Sequence, residues 1–326
     1  YAGNMENLKG CKDHGRHIFV RDDITNRDCM TTLFQKYQPR AIIHFAAESH
    51  VDRSIANPGV FIQTNIVGTF QLLDVAHSYW SKLDDKRAKD FRFLHVSTDE
   101  VYGSLASDEP AFTEEHSYKP NSPYSASKAS ADHLARSYFQ TYGLPVLVTN
   151  CSNNYGPYQF PEKLIPLVLL NALEGKKLPI YGDGQQIRDW LYVLDHCSGI
   201  SAVLAKGTPG EVYNIGGWNE KTNLEVVHAI CQTLDQLKPK EDGSAYASQI
   251  TFVEDRKGHD RRYAIDASKM KRTLGWMPSW EFNDGITATI KWYLDNQEWI
   301  GNIKTGAYRS WMQSQYGVKK GATVDE

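Results

Sequence analysis

Phe91-Arg92-Phe93-Leu94-His95-Val96 runs directly into Ser97-Thr98-Asp99-Glu100-Val101-Tyr102-Gly103, so an apolar run ends in two adjacent carboxylates. The run has the length and composition of a strand buried in a parallel sheet, and the C-terminal ends of such strands open into the binding crevice of α/β proteins. Two dozen residues on, Asn121-Ser122-Pro123 signals a helix start. It is followed by Tyr124-Ser125-Ala126-Ser127-Lys128 and an amphipathic stretch to Tyr142, then by Gly143 and the apolar Val146-Leu147-Val148-Thr149. A helix between two strands is the crossover unit of a parallel sheet. Tyr124 and Lys128, four apart, share a helix face, where an ammonium can stabilise a phenolate whose ordinary pKa is about 10. The spacing alone carries little, because 18 tyrosines make a chance match expected. Tyr316 and Lys320 repeat it in a polar C-terminal stretch that reads as a solvated face. Read by themselves, Asp99 and Glu100 also leave open an ordinary strand-end turn with solvated acids.

Outward from this centre, short apolar runs alternate with helical periodicity, the pattern of an α/β fold with a mainly parallel sheet. Strands are expected at His17–Val20, Ala41–Phe45, Phe91–Val96, Val146–Thr149 and Trp190–Val193. Helices are expected near Asn26–Tyr37, Pro58–Trp80 and Tyr124–Tyr142. Beyond Asn150 the pattern loosens into loops rich in Asn, Pro and Gly, with helices near Glu162–Leu173, Leu224–Leu237, Ser268–Leu274 and Asp284–Trp299. Lys238 to Ser244 reads as a flexible loop.

At 326 residues with a net charge of −3, the chain can bury a large core and has no polyanion-binding balance. Its five cysteines form no C-x-x-C pair, which implies neither a zinc site nor a disulfide framework and fits a reducing cytoplasm. The longest apolar run, Leu164–Leu173, is too short to span a bilayer. No nucleic acid, membrane or metal is expected.

On these residues the chain resembles the extended short-chain dehydrogenase/reductase family, and within it the nucleotide-sugar 4,6-dehydratases. The resemblance also rests on Ala46-Ala47-Glu48-Ser49-His50, Asn150 to Pro157, Phe160-Pro161-Glu162-Lys163-Leu164, Pro179-Ile180-Tyr181-Gly182, Ile187-Arg188-Asp189-Trp190 and Tyr213 to Gly217. It implies a Rossmann-like doubly wound parallel sheet, N-terminally incomplete, with a smaller interleaved α+β substrate domain. The expected division is 1–154 with 186–208 for NAD, 155–185 with 209–320 for the sugar nucleotide, and a tail at 321–326. It further implies NAD as cofactor, dTDP-glucose as substrate and a homodimer built on the Pro58–Trp80 and Tyr124–Tyr142 helices.

The family's roles carry over by position. Tyr124 is the base for the C4 hydroxyl, supported by Lys128 and Thr98; Glu100 takes the C5 proton, and Asp99 donates to the leaving C6 hydroxyl. Asp23, Ile24, Phe45, Ala46, Ala47, Ser49, Thr64 and Asn154 would contact NAD. Ser49, Asn153, Lys163, Leu164, Arg188, Asn223, Asp255, Arg256 and His259 would hold the sugar diphosphate, with Pro179, Ile180 and Tyr181 along the base. For Asp23 a helix cap, and for Glu48 to His50 an ordinary loop, remain as alternatives. So do an epimerase or decarboxylase on the same fold and a catalytically silent sugar-nucleotide binder.

Three departures mark the chain. The family's Gly-rich phosphate turn is absent, and Gly182-Asp183-Gly184 followed by Gln185-Gln186 is a simple turn. Tyr1-Ala2-Gly3-Asn4 aligns just beyond that turn and the second strand, so a fragment of a longer enzyme is expected, one that binds NAD poorly, folds marginally and lacks activity. Lys257 stands where the family usually has Pro, and Leu194 where it often has Glu, the latter a surface change.

Overall fold

The computed structural model describes residues 2–12, 15–255 and 258–304. Arg256, Lys257, Tyr316, Lys320 and the 321–326 tail lie outside the described residues. Nine strands occur among those described: β1 (Ala41–His44), β2 (Arg92–Thr98), β3 (Val146–Cys151), β4 (Asn153–Tyr155), β5 (Leu178–Tyr181), β6 (Ile187–Tyr192), β7 (Val212–Ile215), β8 (Glu220–Thr222) and β9 (Ile250–Val253). The main sheet is wholly parallel in the order β1-β2-β3-β7. β7 lies within 209–320, so the main sheet draws on both expected segments. β4-β6-β8 and the parallel pair β5-β9 form two small sheets beside it.

Strand side chains alternate between faces, and both faces of the central strands β2 and β3 are covered. Phe93, Val146 and Val148 pack with Leu72, Leu73, Ala135 and Tyr138 under the helices Thr69–Trp80 and Pro123–Tyr142. The intervening Leu94 and Leu147 pack on the other face with Ile200, Val203 and Met270. This two-sided burial explains the nearly continuous apolar runs. A second core, including Tyr155, Val168, Ile230 and Ile290, holds the smaller part together.

The strand expected at His17–Val20 is not formed, and Ile18, Phe19 and Val20 are exposed. No strand pairs with this segment among the described residues, so its backbone lacks the ladder that would hold it extended. The expected Trp190–Val193 strand begins three residues earlier and belongs to a small sheet, and Val193 opens the helix Val193–Lys206. Pro58–Trp80 is helical as expected but contains a π-helical stretch, Ile62–Gly68. Asp284–Trp299 is two helices, Phe282–Asp295 and Gln297–Ile303. The break falls at Asn296, whose Nδ2 donates to the Trp292 carbonyl at 2.8 Å and competes with the backbone ladder. Pro166 is accommodated because it lies in the first turn of Leu164–Leu173, where amides lack intrahelical partners. Leu194 is exposed, and no described helix is long and apolar enough to cross a membrane.

Candidate active site

The site grows from the C-terminal end of β2. Strand geometry stops at Thr98, whose hydroxyl accepts from the Glu100 amide at 3.3 Å and caps the 3-10 turn Asp99–Tyr102. Gly103 ends that turn at φ 92, where a Cβ would stand 2.5 Å from the Lys119 carbonyl oxygen, so both backbone and space require glycine. Tyr102 anchors the turn from inside. Its hydroxyl donates to Asn214 Oδ1 at 2.9 Å and accepts from Asn150 Nδ2 at 2.9 Å.

This anchoring gives the two acids different surroundings. Asp99 is 2% exposed and its Oδ2 is buried without a hydrogen-bond partner, whereas Glu100 lines an open cleft. Burial, then the charge of Glu100, pushes the Asp99 carboxyl well above the ordinary range. Asp99 is therefore not a solvated turn residue.

Tyr124 and Lys128 are brought to the same place by the helix Pro123–Tyr142, which starts in a capping box of Ser122 and Ser125. Both are buried. Lys128 Nζ donates to the Val96 carbonyl at 2.8 Å. Burial, followed by Glu100 and Cys151, pushes the Tyr124 phenol well up, while a hydrogen bond with Thr98 acts in the opposite direction. Lys128 thus stands behind Tyr124 on the same helix face and spends one donor on the strand carbonyl.

The cleft gathers Glu100, Asn153, Lys163, Leu164, Asn223 and His259, together with β5 and Arg188. Pro179 and Tyr181 are half-buried, and Ile180 is packed into the second core. Arg188 is buried, donates to the Asp260 carbonyl at 3.0 Å and lies 4.2 Å from the Tyr263 ring centroid. Lys163 Nζ donates to the Ser49 carbonyl at 2.7 Å, closing the loop after β1 against the cleft. Asp255 approaches His259 Nδ1 at 2.6 Å and accepts from Gln186 Nε2 at 3.0 Å. Asn153 Oδ1 and Asn154 Oδ1 are buried without hydrogen-bond partners. Unsatisfied buried amides at a cleft mark places where a ligand supplies the missing donor.

The residues expected around NAD are spread over the rim of the main sheet. Phe45 is exposed just past β1. Asp23 does not cap the helix Arg27–Tyr37, because Asn26 does. Its Oδ1 instead accepts from the Thr25 amide and hydroxyl at 2.8 and 2.7 Å. Ile24 packs on Gly68, and Thr64 lies in the π-helical stretch.

Sequence reasoning missed Asn65. It is buried, accepts from the Glu48 amide at 2.8 Å, and donates to the Glu48 carbonyl at 3.0 Å and to Ser127 Oγ at 2.8 Å. It therefore ties the loop after β1 to the Tyr124 helix. Asp189 was quoted only as part of a run; buried beside Arg188, it accepts from the Gly217 and Asn219 amides at 2.9 and 2.7 Å. Among the described residues, no cluster of His, Cys, Asp or Glu could hold a metal.

A family model described as GDP-mannose 4,6 dehydratase matches residues 1–289. The chain belongs to that family. The dTDP-glucose 4,6-dehydratase of Xanthomonas campestris pv. campestris (strain B100) is 60% identical over 309 residues, covering 95% of this chain and 88% of the relative. Among solved structures, the Streptomyces venezuelae dTDP-glucose 4,6-dehydratase DesIV, with NAD and TYD bound, is 46% identical at a TM-score of 0.84. That match covers 93% of this chain and 87% of DesIV. A UDP-glucuronic acid 4-epimerase from Bacillus cereus, in complex with UDP-glucuronic acid and NAD, is 29% identical at a TM-score of 0.77, with 89% and 86% covered. The parallel α/β architecture is common to family members with different reactions.

Proposed function

We propose that this chain is an NAD-dependent lyase that converts dTDP-glucose into dTDP-4-keto-6-deoxyglucose and water. The observation that carries this reading is the Asp99–Glu100 pair: one carboxyl buried and held protonated, the next facing the cleft. An elimination needs an acid and a base side by side, and burial raises the proton affinity of Asp99 beside the cleft-facing Glu100. The 60% identical relative carries the corresponding name.

The residues fit the cofactor. Lys128 has three N–H donors and gives one to Val96, so a ribose diol suits the others. The Phe45–Ser49 segment and Asn154, with its orphaned Oδ1, supply further contacts. NAD held there would accept hydride from C4 of the sugar and later return it to C6. Tyr124, acting as the phenolate that the Lys128 ammonium stabilises and with Thr98 on the same oxygen, takes the C4 hydroxyl proton and becomes the phenol. A C4 ketone acidifies C5, Glu100 removes that proton, and Asp99 donates its own to the departing C6 hydroxyl. Glu100 then reprotonates C5. Arg188 and Lys163 suit the diphosphate as fork and point charge, with Asn153, Asn223 and His259 around it and Pro179 and Tyr181 along the base.

We further read 1–154 with 186–208 as the cofactor-binding part and 155–185 with 209–320 as the substrate part. A homodimer through the Pro58–Trp80 and Tyr124–Tyr142 helices is supported by exposed Val60, Ile62, Phe70 and Tyr142. A monomeric mass at micromolar concentration would contradict it. The free thiols suit the cytoplasm. Incubation with dTDP-glucose and NAD tests the activity: a base-labile 4-keto product is expected, and a C4-inverted sugar nucleotide would refute it.

A further inference from the structure

Behind the Tyr124 helix lies a buried polar cluster that the proposed reaction leaves unused. His95 and Ser97 alternate along β2 toward the helix Pro123–Tyr142, and both meet Asp132. Ser97 Oγ donates to Asp132 Oδ2 at 2.8 Å, and His95 Nε2 stands 3.1 Å from Oδ1. The His44 ring lies 5.2 Å from that of His95, and His44 Nε2 is 2.9 Å from Thr69 Oγ1. Asp132 follows Lys128 by four residues on the same helix, so the two share a face. Each is at most 4% exposed.

We propose that Asp132 is a positioning residue of this site: its carboxylate, oriented by Ser97 and His95, is the counter-charge that keeps the Lys128 ammonium protonated behind Tyr124. The charges in this pocket leave few alternatives. Lys128 is faced by Tyr124 and Asp132 from its own helix, by His95 from β2, by His44 from β1 and by Cys151 from β3. Asp132 is faced in addition by His133 on its helix and by Tyr118 and Tyr102 from the loop side. Burial drives both inner histidines well below their ordinary range and the Cys151 thiol up to about 12, so these groups are neutral near pH 7. The Tyr102 and Tyr118 phenols are raised by burial and neutral as well. Burial lowers Lys128, and Asp132 is the first group that raises it again. Asp132 itself is pushed up by burial to about 6, so it is anionic at and above neutral pH.

The inference takes its chemistry from the dehydratase reading, but its test does not depend on turnover. In lysine-15N-labelled full chain, the Lys128 Nζ signal is assigned by its loss in Lys128→Met and followed against pH without cofactor. The wild-type signal should step as Asp132 ionises near pH 6. In Asp132→Asn the main Lys128 titration should fall by about one pH unit or more, Asp132→Glu should restore it, and Ser97→Ala, which keeps the carboxylate, should leave it high. No wild-type step, or coincident titrations in wild type and Asp132→Asn, would overturn the proposal. With dTDP-glucose and NAD, the alkaline limb of kcat should move down in Asp132→Asn by the same interval with KM unchanged; a uniform loss at all pH values would indicate a purely structural role and refute it. A C4-inverted product from the wild type would refute the dehydratase reading alone, because the NMR titration still decides the charge pairing.

Discussion

Asp99→Asn should stabilise the fold as the pH rises, although it removes a group assigned to the reaction. The native carboxyl is held protonated by burial and by Glu100, whereas an unfolded chain loses that proton near pH 3.9. Above that value the native state binds one proton more than the unfolded state, so wild-type stability declines as pH rises toward the folded pKa and is greatest below the unfolded one. The slope is about 1.4 kcal/mol per pH unit. Asp99 is only 2% exposed, so solvent screening takes little from it. Asparagine is neutral in both states and lacks the slope. As the pH rises above the unfolded value the mutant should therefore gain on the wild type, by at most about 1.4 kcal/mol per pH unit. Urea unfolding of both proteins at pH 5, 5.5 and 6, without cofactor, measures the difference. Parallel stability curves would mean that Asp99 is ionised in the native state, and its role as the acid would fall with the argument.

Three further outcomes are expected. Glu100→Gln should retain C4 oxidation but lose exchange of the C5 proton with D2O by at least about a hundredfold, the range of a general base; undiminished exchange would exclude Glu100. Tyr124→Phe should suppress the first hydride transfer by a similar factor, read as NADH absorbance in a single turnover. Asn65→Leu should destabilise by about 2–4 kcal/mol, because it strands the part-buried Glu48 amide and carbonyl; a thermal midpoint within a degree of the wild type would show that the π-helical anchor is dispensable.

The α/β class, the crossover helix Pro123–Tyr142 and the acids after β2 were legible in the chain because they are local. A strand buried on both faces needs an unbroken apolar run, a helix start needs Ser122-Pro123, and a Tyr-Lys face needs a spacing of four. The small sheets were not legible, since β4, β8 and β9 are three or four residues long and acquire strand geometry only by pairing with distant segments such as β6 and β5. Nor was the break at Asn296, where one side chain outcompetes the helix.

At the site, sequence alone determined which acids, phenol and amine the chain possesses and which of them lie within a helical turn or a strand end of one another. Tertiary structure alone decided their proton affinities. Asp99 and Glu100 are adjacent in sequence, yet the 3-10 turn buries one and turns the other to the cleft. Asp132 shares a helix face with Lys128, but only tertiary packing brought His95 and Ser97 of β2 against it. Burial is a property of everything packed around a group, and desolvation is the largest influence on nearly every titratable residue here; neither is written in the residues next to it.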